Sequence, residues 1–85
     1  SDLDNARSQN HQAEAEIKGV WDGMERTVQQ EMLAEQRAWI QTKNQNCQQA
    51  AARAVSPAQN EYLKLQCDTR MTRERTQYLR GYSIN

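Results

Sequence analysis

The chain has 85 residues and a mass of 9.9 kDa, which suits one small domain over residues 1–85. Only 36% of the residues are hydrophobic and the mean hydropathy is −1.10, so a core that encloses a large enzyme cavity is not expected. The formal net charge is zero, with 11 basic and 11 acidic residues, and no apolar run is long enough for a transmembrane helix. Because the chain starts with neither Met nor an apolar leader, we expect a mature, processed form. Abundant Ala, Gln, Glu and Arg, with no Phe, one Pro and three Gly, predict an all-α fold.

The first predicted element is a helix with a weak apolar stripe. The stripe consists of Ala6, Ala13, Ile17, Val20, Trp21 and Met24. Near Trp21-Asp22-Gly23 the chain either folds back or continues straight into the next helix, and we predict that it folds back. This gives a small bundle of three helices, and the alternative is a two-helix hairpin with a very long first helix.

The second and third predicted elements are long helices separated by Ser56-Pro57. Upstream of this dipeptide, helical spacing runs through Met24, Val28, Met32, Trp39, Ile40, Cys47, Ala50, Ala51 and Ala54. Serine is a favoured N-cap and proline suits the first helical position, so the third helix is predicted to begin at Pro57. Glycine commonly follows a helix end, so this helix is predicted to stop near Gly81.

The two cysteines lie equally far from the predicted turn. If the second and third helices form an antiparallel hairpin that turns near residue 57, Cys47 and Cys67 are each ten positions from the turn. A disulfide requires Cα atoms within about 7 Å, so this register predicts a Cys47–Cys67 bridge. In the chain-entropy model the bridge contributes about 3 kcal/mol, and it indicates an oxidising compartment, either periplasmic or extracellular.

The same register predicts which side chains form the core. Trp39 and Arg75 are each eighteen positions from the turn, so we expect Trp39 to be the central core side chain with Arg75 against its indole ring. Gln36 falls at the height of Tyr78. The expected structural core comprises Trp21, Gln36, Trp39, Arg75 and Leu79.

Three stretches of the chain form a distinctive combination. They are Ala13-Glu14-Ala15-Glu16-Ile17 followed by Trp21 and Met24, then Gln36-Arg37-Ala38-Trp39-Ile40 followed by Cys47, then Cys67 followed by Thr72-Arg73-Glu74-Arg75-Thr76 and Leu79. In that order they resemble the first helix, the Gln-x-x-Trp stretch and the closing helix of the family of small exported bacterial domains named for the lysozyme inhibitor LprI, which includes YecT-like proteins. The resemblance implies a helical, disulfide-pinned, exported domain. For the members that named the family, it also implies inhibition of lysozyme.

The chain departs from the family pattern at several positions. Lys43 stands where the family usually has Arg, Lys18 stands where it usually has Asn, and Trp21 replaces Tyr. A cysteine that is often found in the first helix is missing. The segment between Trp21 and Trp39 is also about one helical turn shorter than usual. This shortening leaves open whether the first two helices are separate.

Catalytic and metal sites receive little support from the sequence. His11 lies in a polar stretch, with no adjacent nucleophile and no oxyanion-forming glycine turn. Paired carboxylates act as general acids only where a cleft perturbs their pKa values, and a helical surface supplies no such cleft. The two cysteines and His11 also lack further ligands for zinc. We therefore predict a non-enzymatic protein with no catalytic residue, no metal and no cofactor.

Charge is divided unevenly along the chain. Residues 1–35 hold eight acids and three bases, a net charge of −5, and residues 36–85 hold eight bases and three acids, a net charge of +5. Either the two segments pack together and their fields cancel, or the surface is bipolar with an acidic face for a cationic partner. The arginines of the third helix are compatible with nucleic-acid binding, but a pI of about 6.5 and the acidic segment argue against it.

Two functions remain. The first is a binding module that masks a cationic enzyme, with lysozyme as the partner that the resemblance implies and with Glu14, Glu25, Glu31 and Glu35 as candidate contacts. The second is a structural or assembly domain of a periplasmic or cell-envelope protein, whose helices associate with another chain or with a second copy. Neither function involves nucleic acid or membrane insertion.

Overall fold

The computed structural model describes residues 1–83, the last of these by its backbone only. It contains three helices: α1 (Asp2–Asp22), α2 (Arg26–Ala50) and α3 (Pro57–Ser83). No strand occurs within residues 1–83. The three-helix prediction is therefore confirmed, and the alternative with one very long first helix is wrong.

The connection between α1 and α2 is a short turn held by specific contacts. Gly23 caps α1, and its amide donates to the Gly19 carbonyl oxygen at 3.1 Å. Met24 is buried, and the Gln29 side-chain amide donates to the Trp21 carbonyl oxygen at 2.6 Å. Burial of Met24 and the bond from α2 back to α1 explain why the chain folds back here although the segment is short.

Both ends of α3 lie close to their sequence signals, but Gly81 does not act as a C-cap. The Gln59 amide donates to Ser56 Oγ at 3.1 Å, as an N-cap requires, and the Val55 amide donates to Gln59 Oε1 at 2.7 Å. The predicted stop near Gly81 lies two residues before Ser83, the last residue of α3. No described glycine has a positive φ, so Gly81 is an ordinary helical residue rather than a left-handed cap.

Helix α3 packs against both other helices, whereas α1 and α2 meet at few points. Contacts between α1 and α3 advance along both helices together, which makes these two helices parallel: Arg7 with Glu61, Asn10 with Asp68, and Glu14 with Thr72. Contacts between α2 and α3 advance in opposite directions, from Cys47–Cys67 to Glu35–Arg75. The Cα atoms span 45 × 23 × 14 Å, so the bundle is elongated and flat.

The interior contains almost as many polar as apolar side chains. The largest side chains that are wholly buried are Leu79, Thr72 and Thr76, all on α3. Trp39 is only partly buried, so the expectation that it is the central core residue is wrong. Its ring lies beside the cationic groups of Lys43 and Arg75, and because α1 and α2 meet at few points, little of α1 is available to cover it.

Candidate functional site

The disulfide sets the register in which all other groups of α2 and α3 meet. Cys47 and Cys67 are bonded, their Cα atoms lie 5.4 Å apart, and both side chains are buried. The predicted pairing is thereby confirmed, and neither cysteine is free. Because the bridge fixes α2 against α3, the residues that it brings level can form stable contacts.

Lys43 joins all three helices through its ammonium group. Its Nζ lies 3.2 Å from Glu14 Oε1 on α1 and 3.1 Å from Asp68 Oδ2 on α3, and only 9% of its side chain is exposed. The ammonium also lies 5.1 Å from the centre of the Trp39 ring. A buried cation is stable here because two carboxylates and an aromatic face surround it.

Neutral groups complete this cluster. The Thr72 hydroxyl lies 3.3 Å from Glu14 Oε1 and 3.1 Å from Asp68 Oδ1, and Asn10 Nδ2 donates to Asp68 Oδ1 at 2.8 Å. Hydrogen bonding with Asp68, followed by burial, raises the pKa of Glu14 despite the opposing effect of Lys43. Burial alone would raise the pKa of Asp68, but its hydrogen bonds with Glu14, Asn10 and Lys43 outweigh burial and hold that pKa below the usual value.

Arg75 forms a second polar centre, between α2 and α3. Its Nε donates to Gln36 Oε1 at 2.8 Å, and its Nη2 donates to Glu35 Oε1 at 2.7 Å. The guanidinium carbon lies 5.4 Å from the centre of the Trp39 ring and 4.6 Å from that of Tyr78. The hydrogen bond from Arg75 lowers the pKa of Glu35. The structure thus brings together Gln36, Trp39 and Arg75 of the expected core.

The remaining two residues of the expected core lie where α1 turns into α2. Leu79 is fully buried and clusters with Met24 and Met32. Trp21 is partly buried and packs against this cluster, together with Ile17, Val20 and Val28. This end of the bundle is therefore held together by apolar side chains.

The four acidic residues proposed as partner contacts fall into two groups. Glu14 and Glu35 are ion-paired within the chain, with Lys43 and Arg75 respectively, although their side chains remain 45% and 53% exposed. Glu25 occupies the N-cap position of α2 without making a capping bond, and both Glu25 and Glu31 are exposed with no ion pair among the described residues. Exposed acids of the first segment also pair with the basic segment, as in Glu16 with Arg80 at 3.7 Å. The two charged segments therefore partly neutralise each other within one chain.

An exposed tyrosine pair on α3 was not among the predicted site residues. Tyr78 and Tyr82 are each 46% exposed, and their ring centres lie 5.2 Å apart in an edge-to-face arrangement. The Tyr78 hydroxyl donates to Tyr82 Oη at 3.3 Å, and this bond is the main cause that raises the pKa of Tyr78. The sequence contained a signal for this pair, because a spacing of four residues places two side chains on the same face of a helix. For Lys43, the signal was its position one turn before Cys47 on the inward face of α2.

Metal-ligating clusters and membrane-spanning helices are both absent from the described part of the chain. No group of His, Cys, Asp and Glu residues there could hold a metal ion, and His11 is exposed. An open groove of about 600 Å³ lies between α1 and α3, and no Ser, Cys or His lines it. No helix within the described range is long and apolar enough to cross a membrane.

Comparison with known proteins identifies a family. The family model described as "Lysozyme inhibitor LprI" matches residues 3–79, which is most of the chain and includes the contacts described above except those of Arg80 and Tyr82. No curated protein and no solved structure matches the chain. The matched range includes the disulfide, the Gln36-x-x-Trp39 stretch and Arg75. The chain therefore belongs to the LprI lysozyme inhibitor family.

Proposed function

We propose that this domain is a non-enzymatic inhibitor that binds a cationic lysozyme in the periplasm or outside the cell. The single observation that carries the proposal is the match of the lysozyme inhibitor family over residues 3–79. The Cys47–Cys67 bridge supports the compartment, because stable disulfides form in oxidising environments. The disulfide and the buried polar contacts also support a rigid binding surface, which loses less entropy when a partner docks.

Fewer acidic residues are candidates for the partner contact than the sequence alone suggests. Glu14 binds the Lys43 ammonium, which it shares with Asp68, so its carboxylate is engaged within the chain. Glu25 and Glu31 are exposed without ion pairs in the described region, and the side chain of Glu35 is 53% exposed although it binds Arg75. We therefore assign the attraction for a cationic enzyme to Glu25, Glu31 and the exposed part of Glu35.

An inhibition assay with charge-reversed variants tests this proposal. Wild-type protein is titrated against a panel of cationic lysozymes at low and at physiological ionic strength, and inhibition is expected to weaken as salt rises. Glu25→Lys combined with Glu31→Lys should slow association about tenfold or more at low salt. Glu35 is left unchanged, because a lysine there would face Arg75 and disturb the fold.

A matched control carries the same change of charge at the opposite end of the bundle. Asp2 and Asp4 lie in the first turn of α1, so Asp2→Lys with Asp4→Lys alters the total charge equally but leaves the proposed contact intact. This control should inhibit nearly as well as the wild type. If no lysozyme of the panel is inhibited at low salt and large excess of the domain, the proposed function is wrong.

Ion pairs within the chain leave fewer charges for the assembly alternative, which needs pairing between chains. It requires the acidic and basic segments to pair between chains, yet Glu14, Glu16 and Glu35 pair with bases of the same chain. Light scattering at increasing concentration separates the two functions, because the inhibitor proposal expects a monomer and the assembly function expects growing particles.

A further inference from the structure

The exposed tyrosine pair forms one surface with the acidic edge of α2. Arg75 connects them, since its guanidinium carbon lies 4.6 Å from the centre of the Tyr78 ring and its Nη2 lies 2.7 Å from Glu35 Oε1. In the register that the disulfide fixes, Tyr82 and Glu31 are nearly level, at 25 and 26 positions on either side of residue 57. We call the surface of Glu31, Glu35, Tyr78 and Tyr82 the tyrosine–glutamate edge.

The buried side chain of Arg75 holds the tyrosine–glutamate edge in place. Arg75 is 8% exposed and its position is fixed by hydrogen bonds to Gln36 and Glu35, so the ring of Tyr78 rests on an immobilised cation. Tyr82 is tied to Tyr78 by the hydroxyl hydrogen bond and the edge-to-face contact. Exposed aromatic rings that are already ordered lose little entropy when a partner docks, which is the property of interface anchors.

The charge of this edge is acidic, although the protein as a whole is neutral. Glu31 and Glu35 are one turn apart and share a face of α2. The unpaired arginines of α2 lie elsewhere, because Arg26 and Arg37 are about 180° and 200° around the helix from Glu35. Arg75 is buried beneath Tyr78 and compensates Glu35, so an approaching cation meets the uncompensated charge of Glu31 and the exposed faces of the rings, and both attract it.

We propose that the tyrosine–glutamate edge is the anchor at which a lysine or arginine side chain of the cationic partner docks. The cation lies against the exposed rings of Tyr78 and Tyr82, and Glu31 and the free oxygen of Glu35 neutralise its charge. This inference rests on the proposed function and deepens it, because it names the residues that supply binding energy after electrostatic attraction has brought the partner close.

The first test uses inhibition of a cationic lysozyme that the wild type inhibits. Tyr78→Ala should raise the inhibition constant about tenfold, and Tyr78→Ala with Tyr82→Ala about a hundredfold. The double Phe variant keeps both rings and should remain within about threefold of the wild type. Tyr62→Ala is the matched control, since Tyr62 is a partly exposed tyrosine of α3 outside the edge, and it should inhibit like the wild type. Circular dichroism confirms that each variant folds.

The second test does not depend on inhibition. A capped tetra-arginine peptide is titrated into the isotope-labelled wild-type protein, and amide and ring shifts are followed by NMR, with a capped tetra-citrulline peptide as the neutral control. The arginine peptide should shift Tyr78, Tyr82 and Glu31, and the citrulline peptide should not. If the wild type inhibits lysozyme and the double alanine variant inhibits equally well, the anchor is refuted and the proposed function stands. If no lysozyme is inhibited, the proposed function fails, and absent or scattered peptide shifts refute the anchor independently.

Discussion

Lys43→Met should be among the most destabilising single changes outside the disulfide. Methionine keeps the aliphatic stem of Lys43 and removes the ammonium that lies 3.2 Å from Glu14 Oε1 and 3.1 Å from Asp68 Oδ2. The two carboxylates then face each other without a cation. Removing one partner of a buried ion pair typically costs about 3 to 5 kcal/mol, because the other charge stays buried and uncompensated.

Water reaches these carboxylates, which reduces the expected cost. The side chain of Glu14 is 45% exposed and that of Asp68 is 25% exposed, so we expect a loss of about 2 to 3 kcal/mol at pH 7. For a domain of this size that loss corresponds to a melting temperature lower by about 8 to 24 °C. Lys43→Met with Asp68→Asn should recover about half of the loss, since Glu14 is then the remaining carboxylate and can be hydrated.

The pH dependence of the deficit follows from the pKa values of Asp68 and Glu14. In the wild type its hydrogen bonds hold this pKa below the usual value, so Asp68 contributes stability above about pH 4 that is lost as the pH falls through the lowered pKa. Without Lys43, the pKa of Glu14, which hydrogen bonding with Asp68 and burial already raise, loses the opposing effect of the ammonium and rises further. A raised pKa contributes stability at low pH that is lost as the pH rises, so the deficit of the variant should be larger at pH 7 than at pH 4.

Urea unfolding measures this prediction. The free energy of unfolding is obtained from circular dichroism at pH 7 and pH 4, with the disulfide intact and the m-values compared, so that a change in the unfolded state is recognised. A variant within about 0.5 kcal/mol of the wild type at pH 7 would refute the reasoning. A deficit of equal size at both pH values would contradict the role of the facing carboxylates.

Three further predictions concern the α2–α3 pair. Replacing Cys47 and Cys67 with Ala should cost about 3 kcal/mol in urea unfolding, and thiol titration of the unreduced, unfolded wild type should find no free thiol. Trp39→Ala should cost about 2 to 3 kcal/mol in the same assay, less than a fully buried tryptophan, and a loss below about 1 kcal/mol would contradict its contacts with cations. Gln36→Leu should cost about 1 to 3 kcal/mol by removing the acceptor for Arg75 Nε, whereas Gln36→Glu, which keeps an acceptor, should cost less.

The sequence by itself determined where α3 begins and how α2 and α3 align at the disulfide. Ser56-Pro57 marks the start of α3 because capping and the fixed φ of proline act within one turn, and the spacing of apolar residues identifies the faces of the helices. In a two-helix hairpin the position of the turn sets which residues of the two helices lie level. Cys47 and Cys67 are at equal distances from residue 57, and this was enough to predict the disulfide. These signals are local, or depend on a single turn, and a single sequence contains them.

Only the tertiary structure decided which charged residues are internal and which are available to a partner. Glu14 and Glu31 both belong to the acidic segment, yet Glu14 binds Lys43, 29 positions away, and Glu31 remains exposed. Helical periodicity places a side chain on a face, but an ion pair forms only when the crossing of the helices brings two faces within about 4 Å. The partial exposure of Trp39 also depends on how the helices pack. The degree to which α1 covers α2 is set by the packing of α3 against both helices, and not by the residues of α2 themselves.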